Sequence, residues 1–128
     1  MNFYGVGIDV VNILRFKSII NKNNTFKQRI FSNVEINYCQ KKKNNISCFA
    51  MRYAAKEAFS KAIGTGISKG ILFKDIEIKN DKLGKPDISI KGKSKIIVNK
   101  ILKKKKYKSF ISLSDDKPCA VAVVIILT

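Results

Sequence analysis

Residues 3–11 (FYGVGIDVV) set β-branched and aromatic side chains around two glycines, which predicts a buried first strand with Asp9 near its end. Asn12 is placed to cap a helix in which Ile13, Leu14, Phe16, Ile19 and Ile20 recur at helical spacing while Arg15, Lys17 and Lys22 point elsewhere. Four polar residues, 21–24, break that pattern. A short second helix is expected around residues 26–31, and Ser32-Asn33-Val34-Glu35 has the form of a capping box opening a third, running to about Lys43. Ser47 is the expected cap of a fourth helix, residues 48–63, with Gly64 closing it.

Beyond Gly64, GTGISKGILF reads as ordered loop. Residues 76–80 and 87–91 alternate as strands around the turn residues DKLGK, a hairpin. A helix is expected over residues 93–105. A second hairpin follows, pairing residues 108–114 with 119–127 through DDKP, its last strand apolar on both faces. No repeat or linker interrupts this order, which predicts a single domain over 1–128 of the α+β class, an antiparallel sheet with helices packed on one side.

Composition narrows the chemistry. The chain carries 26 Lys+Arg against 9 Asp+Glu, a net +17, which favours an acidic partner: nucleic acid, anionic lipid or a phosphorylated small molecule. Only Arg15, Arg29 and Arg52 are arginines, and abundant Asn and Ile point to A/T-rich codon usage as a source of part of the charge. There is no histidine, which removes Ser-His-Asp and Cys-His activation and imidazole metal ligation. Cys39, Cys48 and Cys119 are odd in number and lack C-x-x-C spacing, so neither a disulfide framework nor a zinc site is expected and a reducing cytosol fits. The longest apolar run, residues 120–127, is too short to span a bilayer and no leader pattern opens the chain, so the expectation is a soluble cytoplasmic protein without a membrane partner.

Against that basic background Glu57 stands out, in RYAAKEAFSKAIGTGI (residues 52–67). On a helix it shares a stripe with Ala50, Tyr53, Ala54 and Lys61, so small neighbours leave room for another segment, a metal or a ligand. A plain Glu57–Lys61 surface pair, contributing about 0.3–0.5 kcal/mol, is the equally weighted alternative. Asp9 in a buried strand needs a partner, either a lysine or a cation. Two carboxylates without imidazole are oxygen ligands suited to Mg²⁺. Gly64-Thr65-Gly66 would bring amides near a phosphate or would simply end the helix. The lysine run 103–108 is a candidate nucleic-acid contact, but it lacks interleaved stacking aromatics and reads better as a solvated helix end. A basic nucleic-acid-binding domain is the alternative function.

Taken together, GVGIDVVNILRF (residues 5–16), RYAAKEAFSKAIGTGI, NDKLGKP (80–86) and SLSDDKPCAVAVVI (112–125) resemble, in order and spacing, the motifs of the holo-acyl-carrier-protein synthases, the small 4′-phosphopantetheinyl transferases. The resemblance implies Mg²⁺-dependent transfer of the 4′-phosphopantetheine arm of coenzyme A to a serine of apo acyl carrier protein, in fatty acid biosynthesis, with release of adenosine 3′,5′-bisphosphate. It assigns Asp9 and Glu57 to the metal and Lys61 to the reacting phosphates. It implies a trimer with active sites at subunit interfaces. Coenzyme contacts are implied at Arg52, Lys61 and Gly64, at Gly84, Lys85 and Pro86 of the first hairpin, and at Ser112 and Ser114 of the second. The acidic carrier protein would meet Arg15, Lys22, Lys27 and Arg29. Three positions depart from the family's pattern: Asn12, where many members carry an acid; Tyr53, where Phe or Trp is usual; and Asp115, where many carry histidine.

Overall fold

The computed structural model describes residues 1–103 and 106–128, so Lys104 and Lys105, in the middle of the candidate lysine run, lie outside the described residues. In chain order the elements are β1 (Phe3–Asn12), α1 (Ile13–Lys22), α2 (Phe26–Ile30), α3 (Asn33–Gln40), α4 (Asn45–Ile63), a 3-10 turn (Phe73–Asp75), β2 (Ile76–Asn80), β3 (Pro86–Ile90), α5 (Gly92–Leu102), β4 (Lys108–Asp116) and β5 (Cys119–Leu127). All strand pairing is antiparallel, as expected, but the strands divide between two sheets: β1-β5-β4 and the separate hairpin β2-β3.

Helix α4 is the axis of the molecule, with Ala54, Ala55, Ala58 and Phe59 wholly buried. The reason β1 lies so close along it is glycine. A Cβ at Gly5 would stand 2.1 Å from the Ala62 carbonyl oxygen, and one at Gly7 1.8 Å from that of Ala58. Both distances are impossible for real atoms, so the glycines of β1 and the alanines of α4 form one close backbone contact. This contact sets Asp9, two residues beyond Gly7, against the second half of α4.

The three-stranded sheet has two unlike faces. Toward α4 it presents Gly7, Val124 and Ile111 in one row and Asp9, Ala122 and Leu113 in the next. The opposite face carries the rows Val6–Ile125–Phe110 and Ile8–Val123–Ser112. Val6 is 55% exposed, Ile8 60% and Phe110 50%. β5, apolar on both faces as expected, is thus covered on one side only.

Local chemistry accounts for most element ends. Asn12 Oδ1 accepts from the Arg15 amide, and Ser32 and Glu35 form the reciprocal capping box. Several ends depart from expectation: β3 runs over Pro86–Ile90 rather than 87–91, β4 continues to Asp116 rather than 114, and three helix ends differ. α4 begins earlier than predicted, at Asn45, because Asn44 and not Ser47 is its cap: Asn44 Oδ1 accepts from the Ser47 amide. α3 stops at Gln40, before the lysines, and α5 ends at Leu102, where Lys103 turns left-handed with φ 55°. The cysteine expectation is also corrected. Cys39 of α3 and Cys48 of α4 are joined as a disulfide, with Cα atoms 5.5 Å apart, and only Cys119 is free. Spacing did not announce the pair because a helix–turn–helix reversal, not a local motif, brings the two together.

Candidate active site

Two stripes at i, i+4 and i+8 run along α4, displaced by about 100°. One is Cys48, Arg52 and Lys56; the other is Tyr53, Glu57 and Lys61. Cys48 and Arg52 of the first line one cleft, and all three residues of the second line another.

The second stripe faces Asp9. Asp9, Arg15, Phe16, Tyr53, Glu57 and Lys61 line a cleft of about 470 Å³ between α4, α1 and the end of β1. Lys61 Nζ lies 3.1 Å from Asp9 Oδ1 and donates to the Ile8 carbonyl at 3.0 Å. The lysine therefore bridges to the strand, and no Glu57–Lys61 ion pair forms among the described residues. The isolated surface pair weighed from helix spacing is corrected in this way: Asp9 competes successfully for the ammonium. Tyr53 is held by rings, stacked on Phe73 at 5.3 Å with an interplanar angle of 19° and packed on Phe16 at 5.4 Å. Burial, then Glu57 and Asp9, push its phenol above the ordinary value, so it stays neutral.

Burial, followed by the field of Asp9, also pushes the Glu57 carboxyl up, against the pull of Lys61. A carboxyl whose folded pKa exceeds its unfolded one contributes stability that is complete below the unfolded value and lost as pH rises through the folded value. Metal-free Glu57→Gln protein, which cannot ionise at this position, is therefore expected to be more stable to urea than wild type at pH 7 and to lose that advantage near pH 4. An equal advantage at both pH values would contradict the placement of Glu57.

The donor set of this cleft fits a hard divalent cation. Two carboxylates meet without imidazole or thiolate, and the repulsion that Asp9 exerts on ionised Glu57 is what a bound cation would relieve. Among the described residues no group of three or more His, Cys, Asp or Glu side chains gathers, so further ligands would come from substrate and water.

The first stripe faces a larger cleft, about 700 Å³, whose walls include Arg52 of α4, Gly84, Lys85 and Pro86 of the first hairpin, and Ser112 of β4. Five of the expected coenzyme positions are thus gathered by the fold. Ser114 and Lys61 do not line it, and neither does Gly64. The amides of Gly64, Thr65 and Gly66 are spent on the Lys61 and Ser60 carbonyls as the end of α4, with Gly64 at φ 91°, so the phosphate reading of that loop gives way to the helix-end reading.

Arg52 is held through both terminal nitrogens and one face of its guanidinium, while its buried Nε has no partner. Its Nη1 donates to Cys48 Sγ at 3.3 Å, its Nη2 to Asn80 Oδ1, and its guanidinium lies 4.4 Å over the Tyr38 ring. Tyr38, Lys42 and Asn80 line the cleft too, and sequence reasoning missed them. Nothing in their spacing marks them, since α3 and β2 meet α4 only through the tertiary fold. Asp115, a departure from the family's pattern, also stands in this cleft. Of the basic residues expected to meet a partner, Arg15 is exposed and lines the Asp9 cleft, Lys22 and Arg29 are exposed, and Lys27 lies 5.0 Å over the Phe49 ring.

Comparison with known proteins identifies the family. Residues 5–122 match the family model described as the 4′-phosphopantetheinyl transferase superfamily. The holo-[acyl-carrier-protein] synthase of Pelagibacter ubique is 45% identical over 126 residues, covering 98% of each chain. Among solved structures, the holo-[acyl-carrier-protein] synthase of Neisseria meningitidis superposes with a TM-score of 0.87 at 31% identity, covering 98% of this chain and 99% of that one. The Bacillus anthracis synthase, in complex with coenzyme A (3′,5′-ADP), gives 0.81 at 33% identity, covering 100% and 99%. A family model spanning most of the chain, near-full-length relatives and a shared backbone course agree, and the chain belongs to the 4′-phosphopantetheinyl transferase superfamily.

Proposed function

We propose that the chain is a holo-[acyl-carrier-protein] synthase, transferring the 4′-phosphopantetheine arm of coenzyme A to a serine hydroxyl of apo acyl carrier protein and releasing adenosine 3′,5′-bisphosphate. The observation that carries this reading is the meeting of Asp9, Glu57 and Lys61 in one cleft on a scaffold shared with coenzyme A-bound synthases. In the reaction the serine oxygen forms a bond to the phosphorus that bears pantetheine, the diphosphate P–O bond breaks, and the serine proton passes to solvent or a neighbouring base. The nucleophile belongs to the partner, so the chain needs to supply charge and position more than covalent chemistry.

Asp9 and Glu57 would hold Mg²⁺, which when bound neutralises phosphate charge. Lys61, tied to Asp9 and to the Ile8 carbonyl, presents its ammonium at the same cleft. Arg52, Lys85 and Ser112 line the cleft that would receive the nucleotide end of coenzyme A. Arg15, Lys22, Lys27 and Arg29, on α1 and α2, would meet the acidic carrier protein and steer its approach. Intracellular substrates of this kind place the reaction in the cytoplasm, where the product serves fatty acid biosynthesis.

The working form is a trimer with interfacial active sites. Two features support it. The outer face of the three-stranded sheet is apolar and uncovered in the single chain, with Val6, Ile8, Val10 and Phe110 all at least half exposed. The two clefts also sit on different stripes of α4, so a coenzyme that reaches both would bridge from the Arg52 cleft of one subunit to the Asp9 cleft of the next.

Mass spectrometry of apo carrier protein incubated with coenzyme A, Mg²⁺ and this protein is expected to show the phosphopantetheine mass gain. Val6→Asp, which puts a charge in the uncovered sheet face, is expected to yield monomer by light scattering and to lose transfer at the same time. No mass gain with wild type would sink the functional reading; a fully active Val6→Asp monomer would sink the interfacial site.

A further inference from the structure

Lys56, next to the metal-site residue Glu57 in the chain, continues the other stripe of α4 and is wholly buried against an equally buried Glu35. Its Nζ donates to Glu35 Oε1 at 2.8 Å, to the Phe73 carbonyl at 2.8 Å and to the Ile76 carbonyl at 2.5 Å, which uses all three protons. Glu35 accepts from the Ser32 amide at 2.9 Å and, through Oε2, from the Ile78 amide at 3.1 Å. Burial pulls the Lys56 ammonium below its ordinary value and Glu35 opposes the shift.

Ile76 and Ile78 are alternate residues of β2, which pairs with β3 along one edge only. A carbonyl and an amide two residues apart on the free edge are the groups a further strand would engage. The ion pair occupies that place. Apolar side chains would cover the same edge at a smaller desolvation cost but would leave its backbone groups unpaired and β2 free to slide along α4.

We infer that the Lys56–Glu35 pair is a positioning element that seats the β2–β3 hairpin on α4 and so sets the geometry of the coenzyme cleft. One wall of that cleft is the hairpin (Asn80, Gly84, Lys85, Pro86) and another is Arg52 of α4, and the Arg52–Asn80 hydrogen bond ties them at the cleft itself. Lys56 and Glu35 do not line the cleft, so they act through the hairpin rather than on the substrate. The inference rests on reading this cleft as the coenzyme site.

The test removes both charges together, as Glu35→Gln/Lys56→Met, so that neither is left buried alone. For the folded trimer the KM for coenzyme A is expected to rise about tenfold, the low end for loss of an outer-shell support, while kcat and the KM for carrier protein change by less than about threefold. Amide exchange at Ile78 is expected to quicken by at least about tenfold, with exchange at Ala58 and Ala62 of α4 unaltered. An unchanged KM for coenzyme A, or an even loss across kcat and both KM values, overturns the inference. If the double variant does not fold, Glu35→Gln alone, which leaves the two carbonyl bonds of Lys56, is expected to raise that KM by about threefold; no rise overturns it. Should wild type fail to modify carrier protein, the functional reading falls, and amide exchange at Ile78 then decides the seating of the hairpin independently.

Discussion

Glu57→Gln is expected to lower kcat/KM for carrier-protein modification by about 10³-fold, some 4 kcal/mol of transition-state stabilisation, while circular dichroism and the oligomeric state are unchanged. The substitution keeps the shape of the side chain and removes a charge that nothing nearby replaces. Asp9 remains, but its oxygen is already engaged by Lys61 at 3.1 Å. Asp9→Asn should cost as much, and the double variant little more, because under the proposed function the two carboxylates hold one cation and act as a unit. Mass-spectrometric rates for the three variants decide this. Retained activity in either single variant would mean that the cleft between β1 and α4 is not where the phosphoryl group is handled.

Gly7→Ala is expected to destabilise the fold by at least about 3 kcal/mol, near the upper end of overpacking effects. The added methyl would stand 1.8 Å from the Ala58 carbonyl oxygen and 2.8 Å from the Ala62 amide nitrogen, both backbone atoms that cannot rotate away. β1 would have to lift off α4. Since Asp9 rides on β1, the relaxed variant should also lose the Asp9–Lys61 contact and the proposed Mg²⁺ site with it, so a small residual folded population would still be a poor enzyme. Urea denaturation checks the first part, and a transition midpoint within error of wild type would contradict it.

How legible was all this in the chain? The elements were, where local chemistry fixes them. Asn12 and the Ser32–Glu35 box were read as caps and are caps, and residues 76–80 form a strand with the predicted bounds. Ser47 fails as a cap because the helix starts earlier, and Asn44, three residues before it and not singled out by the sequence reading, caps it instead. Ser47 then lies buried with an unpartnered hydroxyl. The alternating strands announced themselves, but not their division into two sheets, since period-2 patterning names a strand's faces and not its neighbours.

The candidate site divides along the same line. Asp9 and Glu57 were visible as acids in unexpected places, one in an apolar strand and one among alanines of a basic chain, and motif resemblance gave them a shared role. A lysine was one of the two partners expected for Asp9, but that this lysine is Lys61, turned away from Glu57, was invisible, because helix spacing speaks only of neighbours on the helix. Lys56 went unnoticed for a related reason: a lysine at helical spacing looks solvated, and only the arrival of α3 and β2 turns it into a buried, fully bonded charge. The cysteine pair is the plainest case, nine residues apart in sequence and adjacent only after the α3–α4 reversal.

What the sequence by itself determined was the set of elements, the absence of imidazole chemistry, the two carboxylates and the family they belong to, because each is written in local pattern or residue type. What only the tertiary structure decided was who faces whom: β1 laid on α4 through Gly5 and Gly7, Asp9 bridged to Lys61, two clefts on two stripes of one helix, and a buried ion pair standing in for a strand. Those pairings join residues far apart along the chain, and their energies depend on contact and burial that no window of sequence contains.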